Sequence, residues 1–270
     1  MPKGDYDHHK KAGNEGDVVK HVALIAALDS AVDQHRGGAF HYADIYAGYA
    51  HHCLGRGGEW TRGIGKLCGR CELRENQHTA LYREWYLSRP LFEGGFYPGS
   101  SLIAADVCKW KKEGFRLSLW DISPKAVSDL KRVFKGKQHR IYDRAATASD
   151  PGFQSANFVL IDPPKGNSKT WDFASGFLNA RKQNVLLWWP IFANTRTIPP
   201  SENSQSKVTR EAACRLGFSV SKVLWAKGGR MIGCQLIYRL DSISIKKLRA
   251  AIEQVVRVIG GKWRVEHFDS

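Results

Sequence analysis

The apolar run Phe158-Val159-Leu160-Ile161 ends in Asp162-Pro163-Pro164. Residues 156–162 read as a buried strand, so the pattern sets Asp162 at the strand's carboxyl end, where ligand sites gather in open α/β sheets. Two prolines in a row fix the backbone just beyond it. Such a turn can hold a carboxylate and the adjacent carbonyl toward one point. That is the acceptor pair an exocyclic amine needs: its two N–H bonds are gripped, and its lone pair is localised toward a methyl electrophile. No strong base is required if the methyl sits on a sulfonium, and catalysis becomes orientation plus electrostatics. The same residues also suit an ordinary Asp-Pro turn.

Two further acids stand where strands end. Asp121 closes the run Phe115-Arg116-Leu117-Ser118-Leu119-Trp120, and an acid at that place can take both ribose hydroxyls of a nucleoside. It can equally cap the next helix. Asp44-Ile45-Tyr46-Ala47-Gly48 follows the strand read at 39–46; a small residue and a glycine there let the backbone approach a bound cofactor, although one glycine is a weak signal.

The elements that must position these acids alternate. The periodicity predicts helices over 14–35, 100–113, 124–134, 170–181, 205–216 and 243–258. Strands are predicted at 39–46, 115–121, 139–143, 156–162, 185–189, 218–226 and 231–240. Asn14 is read as the first N-cap, with Asp17 in the first turn. Strands alternating with helices imply a mostly parallel sheet covered on both faces. The last two strands form a hairpin, giving the sheet one reversed strand. Residues 51–97 break the alternation. They are polar, rich in Gly, Arg and His, hold one helix near 76–88, and read as an inserted helical subdomain in a single domain spanning 1–270.

The chain carries 41 Lys and Arg against 26 Asp and Glu, a formal charge of +15. The excess is spread along its length, which favours a polyanionic partner through counterion release. Arg56, Arg62, Lys66, Arg70, Arg74 and Arg83 alternate with Trp60, Tyr82, Trp85 and Tyr86. This is either a face for phosphates and stacked bases or a solvated helix with buried rings. With no apolar run of membrane length and no secretory pattern, a cytoplasmic monomer that uses no membrane is expected. The cysteines are then thiols, not a disulfide framework. Cys68 and Cys71 with Cys53 and His78 could hold zinc, but the spacing is irregular and no metal is expected.

Several stretches go together. Tyr6-Asp7-His8 and Ala12-Gly13-Asn14-Glu15-Gly16-Asp17-Val18-Val19-Lys20-His21 open the chain. Tyr42-Ala43-Asp44-Ile45-Tyr46-Ala47-Gly48 and Tyr97-Pro98-Gly99-Ser100-Ser101-Leu102-Ile103-Ala104 follow. Trp120-Asp121-Ile122-Ser123-Pro124, Leu160-Ile161-Asp162-Pro163-Pro164 and Leu187-Trp188-Trp189-Pro190 complete the set. In this order, from about Tyr6 to Tyr238, the chain resembles the RlmJ family of 23S ribosomal RNA adenine-N6 methyltransferases. The resemblance implies a Rossmann-like SAM-dependent methyltransferase fold with a small helical insertion, S-adenosyl-L-methionine as cofactor and 23S rRNA, taken before subunit assembly, as partner. It implies that Lys20, His21, Asp44, Tyr46, Gly48, Ser100, Asp121 and Asp162 surround the cofactor. Lys20 would at least neutralise the cofactor's carboxylate. Asp162, with Pro163 and Pro164, would grip the amine, and Tyr6 and His8 would lie in a tail closing over the site.

The chain departs from the family at three points. Lys165 replaces the aromatic that follows Asp-Pro-Pro and stacks on the target base. Tyr49-Ala50 replaces the second glycine after the first strand. Ala146 stands where the family has the acid that reads the cofactor's adenine, with Asp143 as the nearest substitute. Asp-Pro-Pro-Lys also resembles some C5-cytosine RNA methyltransferases, which need a cysteine nucleophile; Cys214 falls in a helix and Cys234 in a late strand. Another target base, or a silent RNA-binding protein with this fold, are the alternative readings.

Overall fold

The computed structural model describes residues 11–87, 95–111, 114–164, 166–180, 184–194, 201–202, 204–225, 231–260 and 263–269. Helix α1 (Glu15–Gln34) begins as expected: Asn14 caps it by accepting from the Asp17 amide at 3.1 Å. It is buried on nearly every side, the mark of a central helix. Strand β1 (Phe40–Asp44) follows, every residue buried.

The next stretch is built of short pieces: β2 (His51–Cys53), α2 (Ile64–Leu67), α3 (Gln77–Tyr82) and β3 (Phe96–Pro98). Strands β2 and β3 form their own antiparallel pair, which the sequence pattern did not suggest. Then come α4 (Ser100–Trp110), β4 (Phe115–Trp120), α5 (Pro124–Val133), β5 (Arg140–Tyr142), α6 (Pro151–Gln154), β6 (Phe158–Ile161), α7 (Ser168–Ala180), β7 (Val185–Asn194), β8 (Ser201–Glu202) and α8 (Ser204–Arg215). The chain closes with β9 (Ser219–Leu224), β10 (Met231–Arg239), α9 (Ser242–Ile259) and β11 (Arg264–Phe268).

The main sheet runs in the order β11-β9-β10-β7-β6-β1-β4-β5, with β8 paired to β7 at the side. Strands β5, β4, β1, β6 and β7 are parallel. Strand β10 runs antiparallel between β7 and β9. The helices pack on both faces, giving one core around α1, α4 and α9 and a second around α7. This is a Rossmann-like α/β fold with a reversed hairpin at one end. Two expectations are corrected. Strand β7 continues past Trp189 to Asn194, because Pro190 faces Cys234 of β10 and pairing persists beyond it. The edge strand β11 was not foreseen; it pairs with β9, and its half-exposed residues leave no apolar run to read.

Residues 51–87 contribute to the main core. Ile64, Leu67, Leu73, Tyr82, Trp85 and Leu87 are buried there with residues of α1 and α9. Two of the contacts that fasten this segment stand out. The Ile64 amide donates to the Gly13 carbonyl at 2.9 Å, and a β-carbon on Gly63 would lie 2.2 Å from that same oxygen. Gly63→Ala is therefore expected to destabilise the protein by about 1–3 kcal/mol through a backbone clash, measured as a fall in the urea midpoint. The second fastening is Asp29 of α1, 1% exposed. It meets His78 Nε2 at 3.0 Å, Lys111 Nζ at 2.6 Å and Lys247 Nζ at 2.9 Å.

Candidate active site

The parallel register brings the three strand-end acids to one edge. Asp44 pairs with Leu119 on one side and Leu160 on the other. The carboxyl ends of β4, β1 and β6, carrying Asp121, Asp44 and Asp162, are therefore side by side. Helix α1 lies against this edge. Lys20 Nζ sits 2.6 Å from Asp162 Oδ2 and 2.8 Å from Asp17 Oδ1.

This cluster is buried and charged. Burial opposes the charge on Lys20, yet Asp162 and Asp17 outweigh it and hold the ammonium well above its ordinary pKa. Burial likewise works against the Asp17 carboxylate, but the Lys20 ammonium brings it down to about 2. The other oxygen of Asp17 accepts from the Gly13 amide at 2.8 Å. Sequence reasoning gave Asp17 only a helix-end role. Its place three residues before Lys20, hence on the same helical face, was the available signal.

His21 points elsewhere. Its Nδ1 is 2.6 Å from the Tyr97 hydroxyl, which is 2.9 Å from that of Tyr82. Burial first, then the charge of Lys20, drives its pKa down, so it is a neutral imidazole.

Asp44 is fully buried. It accepts from Ser100 Oγ at 2.6 Å, the Tyr42 hydroxyl at 3.0 Å and the Tyr46 amide at 3.2 Å. Ser100 thus spends its hydroxyl on Asp44, while Gly99 occupies the cap position of α4. Burial pushes the Asp44 carboxyl up to about 6, Asp162 adding to the rise and the Ser100 bond opposing it. Asp44 holds its proton more tightly folded than unfolded. Its contribution to stability therefore falls as pH rises from the ordinary carboxylate range to about 6, and is constant above. Removing the opposing hydrogen bond by Ser100→Ala is expected to move the Asp44 titration higher than about 6, read from its carboxyl carbon by NMR; an unchanged midpoint contradicts the assignment. Tyr46 is half-buried, and burial followed by the Asp162 charge pushes its phenol up to about 12.

Asp121 is half-buried after β4. Its oxygens accept from the Gly48 amide at 2.9 Å and the Ser123 amide at 2.7 Å. A carboxylate has about four acceptor sites, so two backbone bonds orient it without saturating it. Gly48 has φ +60, and a β-carbon there would touch nothing within 4 Å. A left-handed glycine beside an oriented strand-end acid fits the ribose of a nucleoside cofactor. Asp143 stands exposed after β5, while Ala146 is buried. Pro163 is buried and Pro164 exposed. Tyr6, His8 and Lys165 lie outside the described residues.

Other candidates have separate fates. Tyr82, Trp85 and Tyr86 are buried, so they offer no face to a base; Arg56, Lys66, Arg70 and Arg74 are exposed. His78 is turned onto Asp29, and no group of three metal-binding side chains gathers among the described residues. Burial raises the thiol pKa of both Cys214 and Cys234, the reverse of what a nucleophile needs.

Strand order and the edge of carboxylates together define a Rossmann-like fold of the SAM-dependent methyltransferase type. No family model matches the chain. Ribosomal RNA large subunit methyltransferase J of Haemophilus influenzae is 26% identical over 216 residues, covering 71% of this chain and 72% of the relative. The protein of the same name from Escherichia coli K12 is 25% identical over 201 residues, covering 69% and 70%. A solved Legionella pneumophila structure described by the family model DUF519 superposes with a TM-score of 0.69 at 18% identity, covering 96% of this chain and 98% of that one. The resemblance to the RlmJ family, read from the motifs, is borne out by these relatives.

Proposed function

We propose that this protein is an S-adenosylmethionine-dependent methyltransferase that modifies N6 of an adenine in 23S rRNA in the cytoplasm, before the ribosomal subunit assembles. The reading rests on Asp162, a strand-end carboxylate fixed by two prolines and ion-paired to Lys20 at 2.6 Å. It stands at the same sheet edge as Asp44 and Asp121.

The residues present fit the cofactor. Asp121 would take the ribose hydroxyls, Gly48 would allow close backbone approach, and Lys20 would meet the carboxylate. Asp44 and Ser100 would set the loop that carries Tyr46, with Asp143 nearest the adenine. The cofactor supplies a methyl group already activated on sulfur. Asp162 accepts one N–H of the adenine amine and, with the backbone around Pro163 and Pro164, turns the nitrogen lone pair toward that methyl. As the new N–C bond formed, the S–methyl bond would break to leave a neutral thioether, and the proton shed by the amine would pass to Asp162, the carboxylate at hand to receive it. Charge develops on nitrogen where a carboxylate is already oriented, so little reorganisation is needed. Tyr6 and His8 belong to the segment that would cover the base.

RNA is held by the inserted segment, in which Arg56, Lys66, Arg70 and Arg74 are exposed and carry positive charge. The readings of another target base, motivated by Lys165, and of a silent RNA-binding protein, motivated by Ala50 and Ala146, differ in measurable ways. Calorimetric titration with S-adenosylmethionine distinguishes the silent protein, which gives no heat of binding. Nucleoside mass spectrometry of rRNA from cells with and without the gene distinguishes the base. Loss of one N6-methyladenosine is the expected result, and loss of any other methylated base refutes the adenine assignment.

A further inference from the structure

A base drawn out of an RNA strand loses its stacking, and a site must offer it another face. The loop after Asp162 reads Pro163-Pro164-Lys165-Gly166 and contains no aromatic ring. The adjacent strand does. Leu160 pairs with Leu186 and Ile161 with Leu187, so one further step of the parallel register sets Trp188 beside Asp162. Both point to the α1 side of the sheet: Leu160 and Leu186 belong to the core around α1, whereas Ile161, Leu187 and Trp189 belong to the opposite one. The two tryptophans therefore differ. Trp189 is fully buried, while Trp188 is only partly covered. Lys20 Nζ, 2.6 Å from Asp162, is 5.9 Å from the centre of the Trp188 ring.

Two glycines shape the surroundings of this ring. A β-carbon on Gly16 would come within 2.8 Å of Trp188 Cζ2, so α1 carries a residue without a side chain where the indole lies against it. A β-carbon on Gly166 would lie 2.8 Å from Pro190 Cγ, so the loop leaving Asp162 is pressed onto the strand that bears Trp188. A carboxylate that grips an amine and a flat apolar surface are thereby set next to each other.

We propose that Trp188 provides the stacking face for the target base, the part that Lys165 cannot play. This rests on the methyltransferase reading above. The indole recognises any planar base and leaves the choice of amine to Asp162.

The test is steady-state methylation of protein-free 23S rRNA from cells lacking the gene, using labelled S-adenosylmethionine. Base–aromatic stacking contributes about 1–3 kcal/mol, so Trp188→Leu is expected to lower kcat/KM for rRNA by roughly tenfold or more, with KM for S-adenosylmethionine unchanged. Trp188→Phe, which keeps a ring, is expected to recover most of the loss. Gly16→Ala, which pushes the ring aside from the helix, is expected to reproduce the loss with Trp188 intact, and it keeps the test decisive if Trp188→Leu does not fold. Unaltered rRNA kinetics in folded Trp188→Leu or Gly16→Ala overturns the inference. So does an equal loss in Trp188→Leu and Trp188→Phe together with a raised KM for S-adenosylmethionine, which makes the ring a wall of the cofactor site. Wild-type protein that methylates no rRNA refutes the parent reading, and the stacking role falls with it.

Discussion

Asp162→Ala is expected to lower turnover by about a thousandfold, the scale set by removing one preorganised polar group from a reacting centre, while the protein stays folded and binds S-adenosylmethionine nearly as before. Folding survives because Lys20 keeps Asp17 at 2.8 Å as its counter-charge. Single-turnover methylation of rRNA measures the loss, and calorimetry measures the cofactor. A second readout belongs to the same substitution. The Asp162 charge helps to raise the Asp44 carboxyl to about 6, so Asp44 is expected to titrate lower in the variant. Turnover close to wild type removes Asp162 from the chemistry; an unmoved Asp44 titration uncouples the two acids.

The largest expected effect on stability lies away from the reaction. Asp29 is a buried carboxylate shared by His78, Lys111 and Lys247. Removing one member of a buried ionic cluster costs about 3–5 kcal/mol, because its partners are left uncompensated. Lys111 and Lys247 keep some contact with water, so Asp29→Ala is placed at about 3 kcal/mol, measured by urea unfolding. Burial pushes the Asp29 carboxyl up, but hydrogen bonds from His78, Lys111 and Lys247 hold it far below the ordinary range. A depressed carboxylate stabilises the fold above its unfolded pKa and loses that contribution as pH falls toward the folded value. Wild type is therefore expected to lose stability more steeply than Asp29→Ala in acid. Parallel acid-unfolding curves contradict this account.

The strands that carry the site were readable because each is short, mostly apolar and closed by an acid, most plainly at Phe158–Asp162. Parallel strands buried on both faces have no choice but to read that way. Lys20 and Ser100 came from the resemblance, not from periodicity; a lysine within a buried helix announces no partner until the sheet edge supplies Asp162. Trp188 depends on strand register, which local sequence does not encode, whereas Asp17 was marked only by its spacing from Lys20. Residues 51–87 misled for a different reason. Their surface is polar and basic, and the apolar residues that enter the core are dispersed among short turns with no sustained period. The aromatics that suggested RNA stacking are the same ones the core requires.

The joint between Gly13 and Gly63 has a further consequence. The strand-helix scaffold and residues 51–87 share a backbone contact only a few positions before Lys20. Excising that stretch would not yield a leaner enzyme with a narrower repertoire. It would remove the brace under the helix that carries the lysine, so the two parts must change in concert.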